Sequence, residues 1–283
     1  MMASASSGNL TNGYLGLFRL GNCAMGAFGA LLAAVACAGI DGLSDYTLEI
    51  LLSMLVVVTF TAGGNSMNDY FDREVDKVAH PSRPIPSGRV TPGAARLLAI
   101  ILFAASLALS PMINPWSVVI VVTSVVVIVS YEWFLKAEGL AGNLAISWLT
   151  GALFLFGGAA VDRLELAWIL AALAFLATLG REIVKDIQDI EGDKGARRTL
   201  PMRIGTRNAG VLGSIAFVAA VGLSPMPYLL DLLAWVYVPV VIVADAIFIY
   251  CASIHFRSPE KGQKVAKLAM LIALVAFLLG GVF

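Results

Sequence analysis

The sequence predicts an all-α, polytopic membrane protein, a bundle of about nine transmembrane helices built from two parallel four-helix repeats plus a ninth helix. Three observations predict it. Of the 283 residues 59% are hydrophobic and only 13% charged, with a mean hydropathy of +0.86, whereas a soluble domain carries roughly 25% charged residues. The apolar residues gather into runs long enough to cross a bilayer as helix, which takes about 20 residues. The cations fall almost entirely on one side of those runs.

The runs lie at about 15–40, 47–66, 91–111, 115–135, 139–160, 164–184, 207–224, 227–254 and 264–283. They are too long and too uniformly apolar for barrel strands, and hydrocarbon leaves helix as the way to satisfy their backbone. Residues 1–14 are Ser-rich, without the basic region of a signal peptide, and read as a flexible N-terminus. Of the 19 Lys and Arg residues, only Arg163 falls in an odd-numbered connection. The N-terminus and the even connections are therefore expected in the cytoplasm and the C-terminus outside. The whole of 1–283 reads as one transmembrane domain, with repeat halves at about 15–135 and 139–254 and a last helix at about 264–283.

A net charge of zero argues against a nucleic-acid partner, and nothing points to an obligate protein partner. Cys23, Cys37 and Cys251 make no CxxC or Cys/His spacing and read as small buried hydrophobes.

The chemistry gathers in the connections after the second and sixth runs. Asn65, Asp69, Asp72 and Asp76 are spaced four, three and four apart, and so are Glu182, Asp186, Asp189 and Asp193. In a helix each set lies on one face. The two sets are offset by 117 residues throughout, and Asn22 and Asn143, each after a Gly, are offset by 121. Four spans per half keep both halves in one orientation, as a parallel repeat. Carboxylates stacked at a membrane face repel one another and call for a positive partner. Their hard oxygens suit Mg²⁺, which is usually completed by substrate phosphates. Arg73, Lys77 and Arg83 beside the first stripe, and Lys185, Lys194, Arg197 and Arg198 beside the second, favour a metal–diphosphate site.

These residues resemble a known family. NDYFDREVD at 68–76 followed by RPIPSGR at 83–89, YEWFLK at 131–136 followed by Gly142-Asn143, and KDIQDIEGD at 185–193 are similar to the signatures of UbiA-type intramembrane prenyltransferases. His80-Pro81-Ser82 departs from that pattern, where an Asn or Arg commonly precedes the Pro. REIVKDIQDIEGD at 181–193 with LPMRIG at 200–205 is most similar to archaeal members that act on geranylgeranylglyceryl phosphate.

The resemblance implies Mg²⁺-dependent transfer of a geranylgeranyl group from its diphosphate to the glycerol hydroxyl of geranylgeranylglyceryl phosphate. It implies two Mg²⁺ ions, one on Asp69 and Asp72 and the other on Asp186 and Asp189, with Asn68, Asp76 and Asp193 as direct or water-mediated ligands. Asp72, Asp189, Asn68 and Tyr131 would be catalytic. Arg73, Lys136, Lys185, Asn22 and Arg83 would bind the diphosphate. Residues 80–89, with three prolines, would form a lid element that keeps water from a carbocation. Arg197, Arg198 and Arg203 lean toward a phosphate-bearing acceptor. Two alternatives stand beside this: an aromatic acceptor such as 4-hydroxybenzoate or a quinone or tetrapyrrole precursor, and an ion-coupled transporter, for which Asp245 and Asp231 are the acids nearest the midplane.

Overall fold

The computed structural model describes residues 7–193 and 197–283, with side chains from residue 12 onward except that of Asp193. A helix α1 (Ser7–Phe18) occupies part of the N-terminal stretch expected to be flexible, and α2 (Leu20–Ala38) is the first span. Arg19 separates the two in a left-handed conformation, φ 51° and ψ 66°, a turn that hydropathy does not register. Then come α3 (Thr47–Phe71), α4 (Arg73–Ala79), α5 (Pro92–Leu109), α6 (Pro115–Trp133), α7 (Leu140–Ala160), α8 (Leu164–Gln188), α9 (Ile190–Asp193) and α10 (Leu200–Ile204). The chain ends with α11 (Thr206–Leu223), α12 (Met226–Leu229), α13 (Tyr237–Ile254) and α14 (Pro259–Val282). Among the described residues nine segments are long and apolar enough to cross a membrane.

Local chemistry sets the starts. Thr91, Asn114 and Ser258 each accept a hydrogen bond from a first-turn backbone N–H, and each is followed by Pro at the first helical position. Asn114 also donates to the Ala159 carbonyl at 2.6 Å, tying α6 to the far end of α7. The eighth span starts at Tyr237 rather than about 227, because Pro225, Pro227 and the left-handed Asp231 (φ 55°) break the apolar run into a short helix and a turn.

Helices α3 and α8 are each 25 residues long, about 37 Å of helix against a hydrocarbon core of about 30 Å. Their last turns therefore leave the apolar layer, and these turns carry the acids. Both helices then break at the same repeat position: Asp72 (φ −84°, ψ 2°) and Asp189 (φ −92°, ψ 6°) each stand between a long helix and a short one. Each stripe is thus carried on two helical pieces rather than the single helix expected.

The repeat is visible in the packing. Helix α3 packs on α2, α5 and α6, while α8 packs on α7 and α11 and α11 on α13. An apolar chamber between α2, α3, α6 and α7 is lined by Val56, Val57, Phe60, Val121, Ser124, Leu149, Ala152, Leu153 and Phe156 among others. A second lies between α7, α8, α13 and α14 and is lined by Leu173, Ala174, Ala177, Asp245, Met270, Ala273, Leu274 and Phe277 among others. The α8 positions equal the α3 positions plus 117, and the α14 positions equal the α7 positions plus 121. Helix α14 therefore closes the second chamber as α7 closes the first, in the place of the opening helix of a third repeat. Asp245 there accepts the Ser224 hydroxyl at 2.6 Å, and Tyr237 donates to the Ser224 carbonyl at 2.6 Å, a polar lock between α11 and α13.

Lipid chains are as apolar as leucine, so close packing rather than water exclusion holds such helices together. Buried Ala30, Ala33, Ala34 and Ala36 on α2 supply a smooth surface, against which α7 sets Gly157; a Cβ there would lie 2.5 Å from the Ala33 Cβ and 2.8 Å from the Ala30 carbonyl oxygen. Cys23 and Cys251 are buried and Cys37 is partly buried, all three free thiols. Gly157→Leu is expected to destabilise the bundle by about 1–3 kcal/mol through overpacking, read as a lower unfolding midpoint in a detergent thermal scan. An unchanged midpoint would show that α2 and α7 do not meet there.

Candidate active site

The end of α3, the α4 turn and the end of α6 bring the first stripe against three cations. Asp69, only 1% exposed, pairs with Arg19, and Arg83 bridges Asp76 at 2.5 Å and Asp69 at 3.9 Å. That bridge keeps the two acids together across the helix break. The other oxygen of Asp69, Oδ2, is buried without a hydrogen-bond partner, which marks it as an acceptor built for something further. Asp72 pairs with Lys136, which also donates to Glu132 at 2.8 Å. Asn68 donates to Asp72 at 2.9 Å and to the two Glu132 oxygens at 3.1 and 3.2 Å, while its carbonyl accepts Arg19 at 3.2 Å.

The second stripe lies on α8 beside the start of α7. Asn143 donates to Asp186 at 3.1 Å, and Glu182 pairs with Arg181 and, at 3.6 Å, with Lys185. Tyr131, on the last turn of α6, lies within electrostatic range of Glu132, Glu182, Asp186 and Arg197 and so joins the two clusters. The first chamber lies along the same helices, its α3 and α6 lining two to three turns further in.

The predicted residues divide accordingly. Asn68, Asp69, Asp72, Asp76, Arg83 and Lys136 form one connected network, whereas Asp186 and Lys185 sit in the second cluster. Asp189 is half-buried at the α8 break, and the side chain of Asp193, with residues 194–196, lies outside the described residues. Arg73 turns away, donating to the Tyr70 carbonyl at 2.8 Å with its guanidinium 4.8 Å from the centre of that ring. Asn22 is exposed and reaches only Asn65, at 3.5 Å. Lys77 pairs with Glu74 at 2.7 Å, and that hydrogen bond holds the Glu74 carboxyl below its usual range.

The loop after α4 is pinned over the site. Ile85 and Val90 are buried against Leu17 of α1 and Ala95 of α5, so α1 serves as the support for the segment that delivers Arg83. The other long connection docks on the α6–α7 turn: Arg203 pairs with Glu138 at 2.7 Å and the Arg198 N–H meets the Ala137 carbonyl at 3.3 Å. Arg197 and Arg198 are exposed.

Sequence reasoning passed over Arg19 and Glu132 as site residues. Each is the lone charge of its sign in a long apolar run, which is itself a functional signal inside a membrane.

Among the described residues no three His, Cys, Asp or Glu side chains converge on one point. A cation bound here would meet one or two carboxylates and would need oxygens from elsewhere, the coordination habit of Mg²⁺ with phosphates.

Comparison with known proteins agrees with this architecture. The family model of the UbiA prenyltransferase family matches residues 27–278. The chain is 37% identical over 275 residues to a digeranylgeranylglyceryl phosphate synthase of Methanothermobacter thermautotrophicus, covering 95% of this chain and 96% of that one. It is 39% identical over 270 residues to the synthase of the same name in Methanopyrus kandleri, covering 94% and 97%. A solved structure described as digeranylgeranylglyceryl phosphate synthase in membranes superposes with a TM-score of 0.90 at 33% identity, covering 96% of this chain and 99% of that chain. A UbiA homolog from Archaeoglobus fulgidus bound to DMAPP and Mg²⁺ shares the fold, with a TM-score of 0.62 at 17% identity over 94% of this chain and 99% of that chain. Nine spans, a twofold acidic repeat and matches running nearly end to end lead to one conclusion: the chain belongs to the UbiA prenyltransferase family and is a multi-pass membrane prenyltransferase.

Proposed function

We propose that the protein transfers a geranylgeranyl group from geranylgeranyl diphosphate to the glycerol hydroxyl of geranylgeranylglyceryl phosphate, forming the second ether bond of an archaeal membrane lipid and releasing diphosphate. The observation that carries this reading is the near full-length similarity to digeranylgeranylglyceryl phosphate synthases.

The difficult step is heterolysis of an allylic C–O bond, which builds negative charge on the leaving diphosphate. Lys136, Arg83 and Arg19 stand at the mouth of the first chamber and are our diphosphate clamp, with Lys185 approaching from the second cluster. Arg73 and Asn22 lie outside the connected network. The carboxylates suit Mg²⁺: their oxygens are hard donors, and the buried, unpartnered Oδ2 of Asp69 is a free acceptor among them. Asp69 and Asp72 would hold one ion and Asp186 and Asp189 the other, with Asp76 and Asp193 reaching them through water and Asn68 orienting Asp72. Bound there, Mg²⁺ supplies Lewis-acid stabilisation of the departing phosphate oxygens. The prenyl chain runs into the first chamber, whose walls are almost wholly apolar. Tyr131 lies over that chamber's mouth and offers its ring to the developing carbocation. The pinned loop over α1 excludes water that would trap the cation as an alcohol. By the distribution of Lys and Arg, this end of the bundle faces the cytoplasm, with the N-terminus inside and the C-terminus outside.

The test supplies purified protein in nanodiscs with labelled geranylgeranyl diphosphate and Mg²⁺, offering geranylgeranylglyceryl phosphate and 4-hydroxybenzoate separately. Label is expected in the glycerol lipid alone and is expected to vanish with EDTA; label in the aromatic acid instead would replace the acceptor. Asp72→Ala and Asp189→Ala are each expected to lower turnover at least about 100-fold with an unchanged elution profile. Near-normal turnover in either would contradict the two-cluster site.

A further inference from the structure

Glu132 is the only charged residue in the 19 residues of α6, and it is 5% exposed. A carboxylate buried at that depth is costly unless it is fully paired. Its partners are Asn68 Nδ2, at 3.1 and 3.2 Å, and Lys136 Nζ, at 2.8 Å. The same two donors are also held by Asp72: Asn68 Nδ2 at 2.9 Å, and Lys136 in direct ion pairing. Two carboxylates from different elements, one at the α3 break and one on α6, therefore share one amide and one ammonium.

Sharing becomes consequential when Asp72 is recruited elsewhere. A carboxylate that ligates a divalent cation has little charge left for an ammonium. Lys136 stands beyond the end of α6, in the short turn Leu135–Ala137 that follows the non-helical Phe134 (φ −145°, ψ −30°). Its backbone alone does not aim it.

We infer that Glu132 is a positioning residue: it keeps Lys136 and the Asn68 amide at the mouth of the first chamber when Asp72 turns to a cation, so that Lys136 meets the diphosphate. The inference rests on the proposed function only for the identity of the ligand as a diphosphate. Because Glu132 acts through Lys136, removing either should have the same consequence for anion binding, and removing both should add little.

The experiment titrates inorganic diphosphate, in excess Mg²⁺, into the detergent-purified full chain and its Glu132→Gln, Glu132→Asp, Lys136→Met and Glu132→Gln/Lys136→Met variants. Glu132→Gln is expected to weaken diphosphate binding about tenfold, the worth of one hydrogen bond to a charged group. Lys136→Met should weaken it at least as much, the double variant should match Lys136→Met alone, and Glu132→Asp should restore most of the loss. Unchanged affinity in Glu132→Gln would overturn the inference, as would additive losses in the double variant. If Glu132→Gln does not fold, Glu132→Asp with and without Lys136→Met carries the same comparison. Wild-type protein that binds diphosphate in this pattern but transfers no label to the glycerol lipid would overturn the proposed reaction and leave the role of Glu132 standing.

Discussion

A carboxylate at the edge of a bilayer needs a cation, and much of the acid-bearing end of this protein is arranged around that need. Asp69, Asp72 and Asp76 are neutralised by Arg19, Lys136 and Arg83, which come from three different parts of the chain. Each cation explains an otherwise odd local structure. Arg19 sits at a left-handed junction between α1 and α2, Arg83 on a loop anchored by Ile85 and Val90, and Lys136 on a short turn closing α6. Isolated surface ion pairs contribute little, about 0–1 kcal/mol, but Asp69 and Asp76 are buried, and removing one partner from a buried pair costs about 3–5 kcal/mol. The site is thus held together by the charges that substrate and metal would displace.

The repeat supplies the second half of the argument. Duplication gives α3 and α8 the same length and a break at the same aspartate, which places two acidic clusters at one membrane face without two separate inventions. It also gives two apolar chambers lined at corresponding positions of α3 and α8 and of α7 and α14. Yet the halves have diverged: the first chamber lies under the Asn68–Glu132–Lys136 network, whereas beside the second, Phe217 and Phe248 stack with Val184 and Ala266 in a closed apolar cluster.

Much of this was legible in the sequence, because its causes are periodic. The nine spans follow from run length, and the acidic clusters from a four, three, four spacing repeated at 117 residues. What escaped was set by single backbone conformations and by tertiary partners. Hydropathy merged α1 into the first span because one left-handed Arg19 leaves no compositional trace, and it extended the eighth span because residues 227–236 are apolar although they turn. Spacing alone grouped Arg73 with the acids, but a cation on the opposite side of a helix break faces Tyr70 instead. Glu132 was hidden for the converse reason, since its partners are 64 residues away at Asn68 and one turn away at Lys136.

The central claim is that side-chain cations occupy the carboxylates until metal and diphosphate arrive together. Calorimetric titration of Mg²⁺ into the protein, with and without a non-hydrolysable prenyl diphosphate analogue, tests it most directly. The account predicts weak or unmeasurable Mg²⁺ binding alone and tight binding with the analogue present, because the phosphate oxygens release Arg19, Arg83 and Lys136 from the acids and complete the metal's coordination. Tight Mg²⁺ binding to the protein alone, unaffected by the analogue, would contradict it.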